Sequence, residues 1–243
     1  GGAGDDSIDA GYFGAAVVDG GDGDDVIRTV QYLGRDGVYT GGTGNDVISS
    51  ANNGDHLMLG EQGDDTLYAG YGNSTLDGGD NADLLVSGFR GAEMIGGDGA
   101  DFFAMHAQNA NADLITPTNG IDTIADFTAG EDQLMIVNPS PSFPTPLPSE
   151  LSFRELDASD PDAPATELVR LRPDGEEEIL AILQGEFGEG ELDLDQILFV
   201  DYGDLLTTVD DLTAPTPFDD SLLGTSGDDV IDALAGEIGR AHV

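Results

Sequence analysis

The nine residues GGDGDDVIR (20–28) recur, with small changes, five more times in the first 104 positions. The other copies are GGAGDDSID (1–9), GGTGNDVIS (41–49), GEQGDDTLY (60–68), GGDNADLLV (78–86) and GGDGADFFA (96–104), and all six align without gaps. Their common pattern is G-G-x-G-x-D-x-U-x, with U a large apolar residue. Glu61 departs from it at the second glycine and Asn81 at the third. A flexible, solvated linker would account for the glycine and the aspartate. It would have no use for an apolar residue phased on nine positions, so the pattern reads as folded structure.

Each residue type in the pattern has a physical use. Glycines reach φ > 0 and let carbonyl oxygens come close to an ion. The aspartate at position six supplies a hard carboxylate oxygen. Calcium takes six to eight oxygen ligands, and carbonyls and carboxylates of two stacked turns can complete one shell together. The tail x-U-x is a short strand whose central side chain points inward: Ile8, Ile27, Ile48, Leu67, Leu85 and Phe103. The repeat resembles the nonapeptide of the RTX (repeats-in-toxin, hemolysin-type) family, and that resemblance implies an all-β fold, a calcium-loaded parallel β-roll. The candidate metal carboxylates are then Asp6, Asp25, Asp46, Asp65, Asp83 and Asp101. The candidate glycines beside them are Gly20, Gly21 and Gly23, Gly41, Gly42 and Gly44, Gly60 and Gly63, Gly78, and Gly96, Gly97 and Gly99.

The copies begin at 1, 20, 41, 60, 78 and 96, so they are 18 to 21 residues apart. The family's roll uses two nonapeptides per coil, which places all the strong copies on one edge. The segments between them are degenerate: ANNGDHLML (51–59), AGYGNSTLD (69–77) and SGFRGAEMI (87–95). They keep an apolar residue at position eight (Met58, Leu76, Met94) but carry His56, Ser74 and Ala92 at position six. The expectation is a one-sided roll with about five inter-turn calcium ions on one edge. The earlier intervening segments, 10–19 and 29–40, are too long for the period and are expected to bulge.

The second part of the chain differs in composition. Residues 1–104 hold 25 of the 36 glycines, and all 11 prolines lie beyond them. The expected boundaries are a roll over 1–113 and a small antiparallel β-sandwich-like module over 114–202 that caps it. IDTIADFTAGEDQLMIV (121–137) resembles the stretch that often follows an RTX array. Strand signals lie at 121–127 and 133–137, with a turn at Ala129 and Gly130. PSPSFPTPLP (139–148) is too proline-dense for a strand or helix interior. Strand signals return at 151–156, 166–171, 178–183 and 197–200, the second and third of these paired as a hairpin across Arg172-Pro173-Asp174-Gly175. Asp122, Asp126 and Asp132 read as surface carboxylates at strand ends or as a further calcium site. Residues 203–221 read as a linker, and GTSGDDVID (224–232) restarts the nonapeptide within a second, truncated array over 222–237. The last six residues, 238–243, back-translate to a sequence resembling a short-read sequencing adapter and read as an artefactual tail. With no Met or signal-peptide pattern at Gly1, the chain is expected to be a piece of something longer.

Charge and composition exclude several classes. The chain carries 49 Asp and Glu against 7 Arg, with no Lys, for a formal net charge of −42. Such a surface repels nucleic acid and anionic lipid. No apolar run approaches the ~20 residues of a membrane span. Without Cys there is no disulfide and no thiolate metal site. The three His stand in no H-E-x-x-H context, and there is no G-x-S-x-G elbow or Walker loop, so no enzymatic site is expected here. Residues 1–104 contain 19 acids and 3 Arg, and the rest 30 acids and 4 Arg, so calcium would offset much of the roll's charge and little of the remainder. The family resemblance implies a secreted, extracellular or cell-surface protein exported through type I secretion machinery. It implies a calcium-binding structural module, whose parent is a secreted protease, lipase or lyase with its catalytic domain upstream, or a large adhesin or surface-layer protein.

Overall fold

The computed structural model of the chain describes residues 1–10, 16–29, 36–51, 53–106, 120–138, 148–156, 164–172, 175–188, 190–194 and 197–201. The expected linker at 203–221, the array restart at 222–237 and the tail at 238–243 lie outside these residues. So do the lengthened parts of 10–19 and 29–40 and nearly all of the proline-dense 139–148.

The described chain is all-β, and most of it is two parallel sheets wound from alternating half-turns. The first sheet takes β1 (Gly2–Ala3), β3 (Val17–Asp22), β5 (Gly37–Thr43), β7 (His56–Gln62), β9 (Ser74–Asp80), β11 (Ala92–Asp98) and β13 (Asp122–Ile124). The second takes β2 (Ser7–Ala10), β4 (Val26–Thr29), β6 (Val47–Ser50), β8 (Thr66–Tyr68), β10 (Leu84–Val86), β12 (Phe102–His106) and β14 (Gln133–Asn138). Each strand pairs only with the strands one coil before and after it, so the structure is a β-solenoid.

Strict register makes the core. In the second sheet Ile27, Ile48, Leu67, Leu85, Phe103 and Leu134 stand directly above one another. In the first, Tyr39, Met58, Leu76, Met94 and Ile124 do the same. Every member of both columns is buried, and most have no exposed surface at all. Burying a side chain of this size contributes about 1.5–3 kcal/mol. The residues singled out at position eight are thus the facing columns that hold the coils together.

The antiparallel part of the second module is β15 (Leu151–Leu156), β16 (Ala165–Leu171) and β17 (Glu177–Gln184). The hairpin between β16 and β17 closes where Gly175 N–H donates to the Arg172 carbonyl. The rest of that module continues the roll. β13 and β14 extend the two sheets, β17 pairs with β13 in parallel, and β18 (Leu198–Asp201) pairs with β14 in parallel. The two layers of the expected sandwich are therefore the roll's own two sheets, with a three-stranded ribbon added to one of them. The physical reason is pairing: an open solenoid end offers two free edges, and each is met by the next strand of its own sheet.

Both departures from the glycine pattern keep the glycine backbone. Glu61 has φ 79° and Asn81 has φ 86°. Glu61 stands in register between Gly42 and Gly79, at φ 122° and 113°. A left-handed conformation costs an ordinary residue about 1–2 kcal/mol, and asparagine tolerates it better. Glu61→Gly is therefore expected to stabilise the folded chain by about 1 kcal/mol, read as a rise in thermal midpoint in calcium. Asn81→Gly is expected to gain less.

Candidate metal centre

The position-six aspartates form one continuous ladder. The backbone N–H of each donates to Oδ1 of the same residue in the next coil: Asp6 to Asp25, Asp25 to Asp46, Asp46 to Asp65 and Asp65 to Asp83, all at 2.7 Å. Asp83 N–H continues to Asp101 at 2.9 Å, and Asp101 N–H to Asp132 at 3.0 Å. All six candidate carboxylates are brought onto one edge, and Asp132 is a seventh member. The stretch 127–135 is thus another copy of the repeat, with Gly130 at position four, Asp132 at position six and Leu134 at position eight in register with Phe103. Phe127 and Thr128 in place of the two leading glycines hide it from the pattern.

The second carboxylate oxygen has a different environment. Oδ2 of Asp25, Asp46, Asp65 and Asp83 is buried and accepts no hydrogen bond. The first glycine of each repeat opens the space in front of it. A Cβ on Gly20 would collide with Asp25 Oδ2 and with the Gly41 carbonyl oxygen of the next coil. A Cβ on Gly60 would meet Asp65 Oδ2 and the Gly78 carbonyl, and one on Gly78 would meet Asp83 Oδ2 and the Gly96 carbonyl. At Gly41 and Gly96 the obstructing carboxylates are Asp46 and Asp101. The glycines at positions two and four act otherwise. Gly21, Gly42 and Gly97 sit over the carbonyls of Gly2, Gly21 and Gly79, and Gly23, Gly44, Gly63 and Gly99 over the backbone of Gly4, Gly23, Gly44 and Asn81. They set the close approach of the coils, while the position-one glycines keep open a space faced by oxygen.

The electrostatics of this row are unfavourable without a counter-charge. Burial pushes the Asp46 and Asp65 carboxyls up to about 7 and that of Asp83 up to about 9. Burial likewise raises Asp101 to about 6 and shifts Asp25 upward. The ladder N–H bonds pull these values down, and the neighbouring carboxylates push them further up. A divalent cation in the oxygen-faced space reverses the balance, because it is the largest charge in its neighbourhood. The donor set is all oxygen and mixes side chain with backbone, as calcium prefers. Among the described residues no three His, Cys, Asp or Glu side chains converge on one point, which argues against an all-side-chain cage of the zinc type. The residues present fit calcium.

A family model described as RTX calcium-binding nonapeptide repeat (4 copies) matches residues 34–62, 59–89 and 216–237. The chain carries RTX calcium-binding repeats. No curated protein matches it. RTX repeats of this kind are structural calcium-binding units.

The RTX coils hold further contacts that the sequence reading did not name. The position-five side chains make a second ladder of opposite sense. Asp24 N–H donates to Asp5 Oδ1 at 3.0 Å, Asn45 N–H to Asp24 at 2.7 Å, Asp64 N–H to Asn45 at 2.9 Å and Ala82 N–H to Asp64 at 3.1 Å. The run of Asp or Asn at position five was its available signal. On the other edge, position six is served by Ser74, whose Oγ accepts from His56 N–H at 3.0 Å, and by Asp122, which accepts from Ala92 N–H at 2.8 Å. Asp122 is buried there, and burial raises its carboxyl to about 7. Rings replace carboxylates beside it. Tyr71 stacks on Phe89 with centroids 4.9 Å apart, and Phe89 on His106 at 4.8 Å. Asp126 braces the copy at 96–104, taking the N–H of Gly96 and of Gly97 at 2.9 Å each. Asp122, Asp126 and Asp132 all stand at strand ends and accept backbone N–H bonds from the preceding coil; Asp122 is buried, while Asp126 and Asp132 are half-buried.

Proposed function

We propose that the chain is a calcium-binding structural module of a type I-secreted, extracellular bacterial protein, and that it folds when calcium reaches it outside the cell. The observation that carries this reading is the row of buried Oδ2 atoms without hydrogen-bond donors, each set against the first glycine of its repeat, where a Cβ would collide with it. Asp6, Asp25, Asp46, Asp65 and Asp83 would each share an ion with the carbonyl of the next coil's first glycine, which gives about five ions. At the interval between Asp101 and Asp132 the Asp126 carboxylate also takes the N–H groups of Gly96 and Gly97. Cytosolic calcium lies far below the ~0.1–1 mM affinities of extracellular modules, so the acidic chain stays open until export. The parent is either a secreted enzyme with its catalytic domain elsewhere or a long adhesive or surface-layer protein. The repeat match at 216–237, beyond the ribbon, favours the second through its alternation of arrays and modules.

Calcium binding by equilibrium dialysis tests the reading directly. About five ions per chain are expected, with magnesium failing to compete at equal concentration. A chain that takes up no calcium, or takes up magnesium equally well, overturns it.

A further inference from the structure

On the edge that carries the aspartate ladder, the coils are also joined at positions three and four. The N–H of each position-four residue donates to the position-three carbonyl of the next coil. Gly4 donates to Asp22 at 2.6 Å, Gly23 to Thr43 at 2.8 Å, Gly44 to Gln62 at 2.8 Å, Gly63 to Asp80 at 3.2 Å and Asn81 to Asp98 at 2.7 Å. The run ends at Gly99. In the next copy the loop 128–132 bonds to itself instead. The Thr128 carbonyl takes the N–H groups of Glu131 and Asp132, and Asp132 Oδ2 takes the Thr128 N–H. Asp126 serves Gly96 and Gly97. Among the described residues no acceptor meets the Gly99 N–H.

We infer that Asp98–Gly99 is a self-modification site, at which the folded chain converts aspartate to isoaspartate. The tetrad Gly-Gly-Asp-Gly occurs at 20–23 and again at 96–99. In both copies the aspartate is exposed and the glycine after it is half-buried. At the first copy both reacting groups are held. The Thr43 carbonyl takes the Gly23 N–H at 2.8 Å, and the Thr43 hydroxyl donates to Asp22 Oδ1 at 3.2 Å. At the second copy no described residue holds either the Gly99 N–H or the Asp98 carboxyl. A glycine amide also has no side chain of its own to shield it. The Gly99 nitrogen attacks Cγ of the Asp98 carboxylic acid. A C–N bond forms, the C–OH bond breaks, and the amide proton leaves with the hydroxyl as water. Water then opens the five-membered succinimide. Attack at Cγ restores aspartate, and attack at the main-chain carbonyl leaves the backbone running through Cβ and Cγ as isoaspartate. One water leaves and one returns, so mass is unchanged and no other reactant is needed. The product has one more methylene in its main chain. It lies where the Gly99 backbone packs on the Asn81 carbonyl, two residues before the ladder's Asp101. The change therefore loosens the coil that receives the Asp83 N–H.

Ageing the full chain, folded in calcium, for several weeks at neutral pH and mapping its peptides by mass spectrometry tests the site. The peptide containing 96–99 is expected to split into two species of equal mass and different retention. The new species should resist a protease that cuts before aspartate. It should accumulate severalfold faster than its counterpart at 20–23. In denaturant the two tetrads should age at similar rates, because their sequences are the same. Asp98→Glu should abolish the new species, since its ring would need six members, and it leaves the ladder aspartates untouched. Equal ageing at Asp22 and Asp98 in the folded chain overturns the assignment. So does a folded chain in which Asp98 stays unmodified while the denatured chain ages, or a new species that persists in Asp98→Glu.

Discussion

In excess chelator the chain is expected to lose most of its β-type circular dichroism, and calcium is expected to restore it with a midpoint of about 0.1–1 mM. The reason lies in what the closed roll must hold. Four buried Oδ2 atoms in the ladder accept no hydrogen bond, and burial pushes their carboxyls above the ordinary carboxylate range. At neutral pH the closed apo roll must either bury these charges unpaired or take up protons that the open chain does not carry. Both options cost stability, whereas the open chain solvates every carboxylate. Binding free energy from the cations then becomes folding free energy. The sign of the proton effect follows. A carboxyl raised on folding favours the closed state fully below its ordinary value near 4 and loses that contribution as pH rises through the raised value. For Asp101, Asp65 and Asp83 that window runs from about 6 to about 9. In chelator, residual β-signal should therefore be greater at pH 4.5 than at pH 9. Equal spectra with and without calcium at pH 7.5 would sink the coupling of folding to the ion.

How much of this was legible in the sequence differs by region, for physical reasons. The six repeats announced both the ladder and the core, because in a solenoid one period fixes register, burial and ligand position together. Ile27 and Asp25 could be placed without coordinates for that reason. The end of the roll was harder. Phe127 and Thr128 stand where the two leading glycines would be, yet Gly130, Asp132 and Leu134 keep positions four, six and eight, and the strand pairing continues from Phe103 to Leu134. Backbone pairing tolerates those substitutions because Asp126 answers the Gly96 and Gly97 N–H groups with its carboxylate, where a regular coil would use its backbone. The edge without the aspartate ladder was read from what it lacks. What it has instead, the Tyr71, Phe89 and His106 stack, depends on third-position rings in two degenerate copies and on a residue after β12's core, a relation no single period reveals. The antiparallel ribbon was visible as strands, but its attachment to β13 was not, since a strand's sequence does not name its neighbour across a crossover.

Asp65→Ala is expected to damage the roll more than the same change at Asp6. Asp65 acts twice. Its Oδ1 takes the Asp46 N–H at 2.7 Å, and its Oδ2 faces the space beside Gly60. Removing the side chain strands a buried N–H, which costs about 1–3 kcal/mol, and removes a charged ligand from one ion. Because each coil contacts only its neighbours, a fault at Asp65 also divides the ladder into two shorter stacks. Asp6 belongs to the first coil of this chain and is partly exposed, so its loss strands no ladder N–H here and leaves the later coils intact. Asp65→Asn separates the two contributions, since it keeps an oxygen for the Asp46 N–H and drops the charge. In calcium titrations followed by circular dichroism, Asp65→Ala should need the most calcium and show the broadest transition, with Asp65→Asn between it and Asp6→Ala. In thermal unfolding at saturating calcium, Asp65→Ala should fall below Asp6→Ala by at least about 1 kcal/mol. Equal losses at the two positions would mean that the ions bind independently and that the coils fold without passing stability along the ladder.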